Sequence, residues 1–124
     1  MSLEEYFGDW LKVIDKKILY ETINILNTID SSTLCPNYNN IFNCFRICKL
    51  SELKVVILGM SPYSQLNKAT GIAFGNKRET LDEDLSPSLQ VIKESVINYE
   101  IPQNSIIFDP SFEDWEKQGV LMLN

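Results

Sequence analysis

Residues 53–74, LKVVILGMSPYSQLNKATGIAF, decide the fold of this chain. The run at 54–58 is short, apolar and rich in β-branched residues, which is typical of a strand buried on both faces in a parallel sheet flanked by helices. Gly59 ends the run, and residues 61–64 predict a tight turn in which Pro62 fixes φ. Because ligands of open α/β sheets bind at the carboxyl ends of strands, this turn is either part of a binding site or an ordinary strand-to-loop connection.

Helical periodicity precedes this strand. With Asp9 as a candidate N-cap, apolar residues recur at helical spacing over residues 10–29. They predict one long helix, or two helices joined near Asp15, over one face of the sheet. Residues 39–46 predict a second helix, whose expected core residues are Ile41, Phe42 and Phe45.

A third helix is predicted after the strand. Residues 75–87 form the least regular segment, and Ser86 at its end is a candidate N-cap with Pro87 at the first helical position. The apolar side of this helix is expected to carry Leu89, Val91, Ile92 and Val96.

The C-terminal residues complete an α/β domain. Residues 106–108 predict a short extended piece, residues 111–118 predict a short helix ended by Gly119, and residues 120–123 predict a second buried parallel strand. These elements predict one domain over residues 1–124, a parallel sheet flanked by helices.

The predicted sheet has too few strands to be self-sufficient. Three or more strands are usually needed, and here the outer side of the second strand is expected to be an exposed apolar edge. We expect either that the sequence is a fragment, incomplete at its C-terminus, or that another element supplies the missing strands. The candidates for supplying those strands are a protein partner and a second copy of the chain.

Charge and composition bear on the possible partners. The 124 residues carry a net charge of −6, which argues against strong duplex DNA binding because phosphate contacts need Lys and Arg. Lys68, Lys77 and Arg78 surround the loop after the first strand. A neutral or basic entrance to the candidate binding site is therefore compatible with the sequence. The apolar runs are too short to span a bilayer and the N-terminus lacks signal-peptide features, so an intracellular protein, cytoplasmic or nuclear, is expected.

The cysteines do not indicate a metal site. Cys35, Cys44 and Cys48 have no C-x-x-C spacing, and the sequence contains no histidine. Reduced core thiols are the favoured interpretation, and no metal or other cofactor is expected.

Several motifs resemble the uracil-DNA glycosylase family. Residues 54–64, KVVILGMSPYS, resemble its water-activating motif VVILGQDPYH, and residues 70–74, TGIAF, are similar to its H-G-L-A/C-F segment. Residues 114–124, DWEKQGVLMLN, are close to its D-W-A-K-Q-G-V-L-L-L-N. Shorter resemblances lie at residues 36–42, 48–50 and 86–89. The resemblance implies the N-terminal part of a three-layer α/β/α fold whose members excise uracil from DNA by hydrolysing its N-glycosidic bond, in base excision repair.

The resemblance also implies a base-binding site. Asn124 aligns with the Asn whose amide hydrogen-bonds the uracil edge, and Phe74 aligns with the aromatic residue that stacks on the base. Tyr63 aligns with the ring that excludes the 5-methyl group of thymine, and Met60 lies in the same motif. Core packing for the two aromatic residues and a simple strand terminus for Asn124 are the alternatives.

The loop before the third helix implies a contact with the DNA backbone. Ser88 aligns with a backbone-contacting Ser of the family's proline-rich loop, and Pro87 is what remains of its proline run. The acidic triplet at 82–84 would repel phosphate if it faced DNA; a solvated surface loop is the alternative.

Two departures from the family motif bear on catalysis. Ser61 stands where the family has its water-activating Asp, and Ser64 stands where it has His. A carboxylate stabilises the positive charge that develops on the sugar and orients water, whereas a hydroxyl is uncharged and a poor base. Losing one such group costs about 100-fold or more in rate.

We therefore predict a uracil-DNA glycosylase-like protein with impaired or no activity. The alternatives are a non-catalytic derivative that binds a nucleobase, DNA or a replication partner, and an incomplete domain without activity.

Overall fold

The computed structural model describes residues 1–99 and 107–124. Its sheet consists of two parallel strands, β1 Val55–Leu58 and β2 Val120–Leu123, in which Val55 pairs with Val120 and Leu58 with Leu123. Both strands lie where the sequence predicts them. Of the extended piece predicted at 106–108, residue 106 lies outside the described residues and the other two have no regular structure.

Short helices make up most of the remaining regular structure. The α-helices are α1 Leu3–Phe7, α2 Lys16–Leu26, α3 Asn43–Ile47, α4 Pro87–Ile97 and α5 Glu113–Lys117. Single 3₁₀ turns lie at Gly8–Lys12, Ser31–Thr33, Tyr38–Asn40, Leu50–Glu52 and Asp82–Asp84. No helix within the described ranges combines the length and the apolar character needed to cross a membrane.

The N-terminal helical region begins earlier than predicted and is divided. Ser2, not Asp9, is its first cap: Ser2 Oγ accepts a hydrogen bond from the Glu5 N–H, and the Glu5 carboxylate accepts one from the Ser2 N–H. Asp9 lies inside a 3₁₀ turn. Asp15 starts α2 by accepting the Ile18 N–H at 3.1 Å, which agrees with the predicted joint.

The second predicted helix is also divided, and Gly71 shows why. The chain makes a 3₁₀ turn at Tyr38–Asn40, and α3 begins only at Asn43. At the interruption, the Gly71 carbonyl accepts the Cys44 N–H at 3.2 Å. A Cβ on Gly71 would lie 1.7 Å from the Asn40 carbonyl oxygen, and φ at Gly71 is +83°. Only glycine permits this approach of the 69–74 segment to the helix.

Two apolar cores lie on opposite faces of the sheet, because successive side chains of a strand point to opposite faces. One core, built mainly from α1 to α3, contains Leu121 with Phe7, Trp10, Leu19, Cys44 and Cys48. The other contains Met122 with Ile72, Ala73, Leu85, Leu89 and Phe112. This arrangement confirms the predicted α/β class with helices on both sides of a parallel sheet.

Some predicted core residues are exposed, because each helix buries a narrower stripe than its apolar pattern indicates. In α2, Leu19 is buried whereas Ile18 and Ile25 are exposed. In α4, Leu89 is buried whereas Val91 is 63% exposed. Phe42 and Phe45 pack, partly buried, against the first core as expected.

The prediction that β1 is buried on both faces is wrong. Val55 is 50% exposed, Val56 53% and Leu58 75%, and only Ile57 packs against a core. In the part of the chain that the structure describes, β1 pairs with β2 alone, so its second edge has no strand beside it.

The outer edge of β2, predicted to be open, is closed. The Met122 N–H donates to Glu116 Oε1 at 2.9 Å, and the Met122 carbonyl accepts the Ala73 N–H at 3.0 Å. A helix side chain and a loop backbone thus satisfy the outward-facing groups at the middle of the strand, and Leu121 and Met122 are buried. Among the described residues, the strand that has uncovered, exposed residues is therefore β1, not β2.

Candidate functional site

A cavity of about 210 Å³ lies where both strands end. Its wall combines the loop after β1, the 69–74 segment, the first turn of α4 and the end of β2. The lining residues are Met60, Ser61, Pro62, Tyr63, Ala69, Thr70, Gly71, Ile72, Phe74, Ser88 and Asn124. The position follows the rule that parallel strands present ligand sites at their carboxyl ends.

Most of the predicted site residues share this cavity. The structure brings together Met60, Ser61, Tyr63, Phe74, Ser88 and Asn124. Pro87 is not part of the lining; it is exposed at the first position of α4. The common location is an observation, and the individual roles of these residues remain predictions.

Gly59 allows the two strand ends to approach each other. A Cβ on Gly59 would lie 3.2 Å from the Asn124 Cβ and 3.5 Å from Phe74 Cε2. The Gly59 N–H donates to the Leu123 carbonyl at 2.7 Å, which extends the ladder by one bond beyond β1. A side chain at Gly59 would therefore crowd Asn124, whereas its distance to Phe74 would be an ordinary van der Waals contact.

Tyr63 and Phe74 are held together by a hydrogen bond. The Tyr63 hydroxyl donates to the Phe74 carbonyl at 2.9 Å. Burial raises the pKa of Tyr63, and the nearby Ser86 hydroxyl opposes that rise. Phe74 has φ of +63°, a left-handed conformation that costs about 1–3 kcal/mol and persists only where the surroundings fix it. The hydrogen bond thus links the two aromatic residues of the cavity wall.

The tight turn predicted at 61–64 lies further along the chain. Residues 61–64 have no regular structure, and the turn follows at 66–68. There the Lys68 N–H donates to the Gln65 carbonyl at 3.2 Å, and Asn67 adopts φ of +62°. The proline instead lies within the cavity wall, between Ser61 and Tyr63.

The sequence analysis missed the buried Asn76, which holds the residue before α4. Asn76 Oδ1 accepts the Ser86 N–H and its Nδ2 donates to Ser86 Oγ, both at 2.9 Å. Ser86 occupies the N-cap position of α4, but its side chain makes no cap hydrogen bond because Asn76 engages it. The pair fixes the start of α4 and with it Ser88. An Asn in an irregular segment gives no sequence signal for this role.

The cavity is electrically neutral. Among the described residues, none that lines it is charged. The sequence was compatible with a basic entrance to the cavity, but Arg78 does not form one. Its guanidinium pairs with Asp109 at 3.2 Å, Glu113 at 3.4 Å and Asp114 at 3.3 Å. The site can therefore offer amide and hydroxyl hydrogen bonds and aromatic surface, but no side-chain charge.

Glu116 is a second residue that the sequence analysis missed. It is fully buried, and burial raises its pKa to about 8; the Met122 N–H, which donates to its Oε1, and the nearby Cys48 backbone oppose that rise. Within residues 1–99 and 107–124, its Oε2 has no hydrogen-bond partner. The resembled family motif has Ala at this position. The replacement of that Ala by Glu was the sequence signal that could have singled out Glu116.

Cys44 and Cys48 are buried thiols. Burial, with a smaller effect from Glu116, raises the pKa of Cys44 to about 12 and that of Cys48 to about 11, so both are protonated near neutral pH. All three cysteines are free. Residues 1–99 and 107–124 contain no group of three His, Cys, Asp or Glu side chains placed to hold a metal ion.

Comparison with known proteins identifies the family. No protein-family model matches the chain. It is 37% identical over 113 residues to the uracil-DNA glycosylase of Francisella philomiragia subsp. philomiragia, a match that covers 88% of this chain and 47% of the relative. It is 36% identical over 127 residues to the uracil-DNA glycosylase of Lachnoclostridium phytofermentans, covering 94% of this chain and 52% of the relative.

A further relative is the uracil-DNA glycosylase of Francisella tularensis subsp. novicida, 39% identical over 99 residues that make up 77% of this chain and 41% of the relative. The chain thus spans about half the length of the curated relatives it matches. The ordered motifs, the parallel α/β sheet and these similarities agree. The chain belongs to the uracil-DNA glycosylase family.

Proposed function

We propose that the cavity at the strand ends binds uracil taken out of a DNA strand, and that this chain cleaves the N-glycosidic bond slowly or not at all. The observation that carries the proposal is the convergence of Ser61, Tyr63, Phe74 and Asn124 on one uncharged cavity. A protein that works on a base in DNA acts inside the cell, in the cytoplasm or nucleus.

The shape and chemistry of the cavity suit a single heterocycle. Its volume of about 210 Å³ is smaller than the roughly 300–1,000 Å³ typical of sites for drug-sized ligands. The Asn124 amide offers a donor and an acceptor side by side, which match the donor and acceptor groups on the edge of uracil. The Phe74 ring supplies a face for stacking, and the Tyr63 ring, fixed by its hydrogen bond, would exclude a 5-methyl group.

Ser61 limits the chemistry. Hydrolysis forms a bond from a water oxygen to C1′ of the sugar and breaks the C1′–N1 bond, whose electron pair leaves on uracil. Positive charge on the sugar and negative charge on the base develop together, and fixed charges aimed at them are the main source of rate. The lining has no charged side chain, and the Ser61 hydroxyl can hold a water but hardly accept its proton. Binding is therefore retained better than cleavage.

A non-catalytic binding function is the second candidate, and the same neutral lining favours it. DNA affinity from the backbone is expected to be weak, since the chain carries a net charge of −6 and Arg78 is paired with three carboxylates. Single-stranded DNA is the better ligand for such a protein, because no base pair has to be broken to expose the base. Ser88 and Pro87, exposed at the start of α4, are the proposed backbone contacts.

The test is uracil excision from single-stranded DNA by this chain and by two variants. Ser61→Asp restores a carboxylate in the cavity, and Ser64→Asp places the same charge on an exposed neighbour outside the lining. We expect excision by Ser61→Asp to exceed that of the unchanged chain by about 100-fold or more. Ser64→Asp should not change it.

Three results would decide between the candidates. Rapid excision by the unchanged chain would contradict the proposal that Ser61 limits catalysis. Equal rates for the two Asp variants would show that the position in the cavity is irrelevant. If neither variant cleaves although uracil binds, the binding function is the correct one.

A further inference from the structure

A buried hydrogen-bonded pair lies next to the aromatic residues of the cavity without lining the cavity itself. Asn76 is 1% and Ser86 5% exposed. Asn76 Oδ1 accepts the Ser86 N–H and Asn76 Nδ2 donates to Ser86 Oγ, both at 2.9 Å. Two contacts between the same two residues fix the position and the orientation of the amide. The hydroxyl of this pair lies near Tyr63.

The donors in this network run in one direction. A backbone N–H can only donate, so it meets the oxygen of the Asn76 amide, and the amide nitrogen then donates to Ser86 Oγ. The Tyr63 hydroxyl gives its proton to the Phe74 carbonyl at 2.9 Å, so its oxygen can only accept. The Ser86 proton is therefore available to the nearby Tyr63 oxygen. A donated proton lowers the pKa of a phenol, and this is the direction in which Ser86 acts on Tyr63.

Asn76 also holds the backbone on which Phe74 depends. Phe74 has φ of +63°, a conformation that persists only where the surroundings fix it. Its carbonyl accepts the Tyr63 hydroxyl, and two residues later the Asn76 N–H donates to the Pro110 carbonyl at 2.9 Å. The segment that carries Phe74 is thus bound at its own carbonyl and again at Asn76.

We propose that Asn76 and Ser86 are positioning residues that set the discrimination between uracil and thymine. The Tyr63 side chain can rotate about its side-chain torsions, and contacts at its hydroxyl select the orientation in which the ring meets a 5-methyl group. Neither positioning residue touches the base, since both act through Tyr63. The inference rests on the proposed function, because it names the residues that give the uracil site its selectivity.

The first test measures the dissociation constants of free uracil and free thymine. For the unchanged chain we expect thymine to bind about tenfold or more weakly. Ser86→Ala removes the hydroxyl and should reduce this ratio to about threefold or less, because the methyl group is then tolerated. Ser95→Ala, the same change at an exposed position of α4, should leave the ratio unchanged. A general loss of folding weakens both ligands alike and does not change the ratio.

A second variant tests the direction of the donors. Asn76→Asp can still accept the Ser86 N–H, but its other oxygen accepts where the amide donated. The Ser86 proton then turns toward residue 76 and away from Tyr63. We expect the same reduced ratio as for Ser86→Ala. An unchanged ratio in either variant would overturn the proposal.

Tyr63→Phe identifies the route of the effect. It keeps the ring and loses the hydroxyl, so it should reduce the ratio by itself, and adding Ser86→Ala should change the ratio no further. In denaturant unfolding, the stability lost by the double variant should be smaller than the sum of the two single losses, and additive losses would overturn the proposal. If the unchanged chain binds no uracil, the proposed function fails, and the unfolding comparison alone decides whether Ser86 holds Tyr63.

Discussion

The buried carboxyl of Glu116 makes the stability of this protein depend on pH in an unusual direction. Its pKa is raised from an ordinary value of 4.5 to about 8 because burial disfavours the charged form. Between those two values the folded protein holds a proton that the unfolded chain releases. The free energy of unfolding therefore falls as pH rises from 4.5 to about 8. Below pH 4.5 the carboxyl of Glu116 is protonated in both states and causes no such loss.

The size of the effect follows from the width of the window. Each pH unit inside it costs about 1.4 kcal/mol, so we expect Glu116 to remove about 2–3 kcal/mol between pH 5 and pH 7. Glu116→Gln cannot ionise, and its side-chain oxygen can still accept the Met122 N–H. The buried amide of the Gln offsets part of the gain, at about 1–3 kcal/mol. The variant should thus lose the pH slope and become the more stable protein at the alkaline end.

Denaturant unfolding at pH 5, 6, 7 and 8 measures this directly. The difference in slope between the unchanged chain and Glu116→Gln isolates the one carboxyl, because all other groups are common to both. Glu94→Gln, at an exposed position of α4, is the matched control and should keep the original slope. A slope that Glu116→Gln leaves unaltered would refute the argument from burial.

Two other substitutions test the geometry of the site. Tyr63→Phe removes the hydrogen bond to the Phe74 carbonyl and should lower the free energy of unfolding by about 1 kcal/mol, measured with denaturant. Gly71→Ala should cost more than about 3 kcal/mol, because its Cβ would lie 1.7 Å from the Asn40 carbonyl oxygen. Gly8→Ala is its control: φ is also positive there, at +55°, but nothing lies within 4 Å of the added Cβ, so only the backbone term of about 1 kcal/mol is expected. Equal losses for the two glycines would contradict the close approach.

The parts of the fold that the sequence predicted are those set by local pattern. The two strands, their parallel class and the cavity at their carboxyl ends follow from short apolar runs, β-branched in β1, that are followed by loops. The cap at Ser2 was readable as well, since a Ser followed three residues later by Glu5 is the capping-box signature, but the apolar periodicity drew attention to Asp9. The capping-box signal at Ser2 was local and present, but the apolar periodicity outweighed it in the prediction.

The parts that could not be predicted depend on neighbours distant in sequence. The burial of a strand is decided by what covers its faces, so the same apolar run is exposed in β1 and buried in β2. The charged composition of α5 does not indicate that Glu116 turns inward to reach Met122; its only sequence signal is that the resembled motif has Ala at this position. The pairing of Asn76 with Ser86 likewise arises only when two loops meet.

The central claim is that the cavity between the strand ends is a uracil site, and titration of the isotopically labelled protein with free uracil tests it most directly. We expect the amide resonances of Tyr63, Phe74 and Asn124 to shift together with saturation, and the Asn124 side-chain amide to shift most. Thymine should bind about 10-fold or more weakly, because its methyl group would meet the fixed Tyr63 ring. Shifts confined to residues outside the cavity, or no shift at saturating uracil, would contradict the assignment.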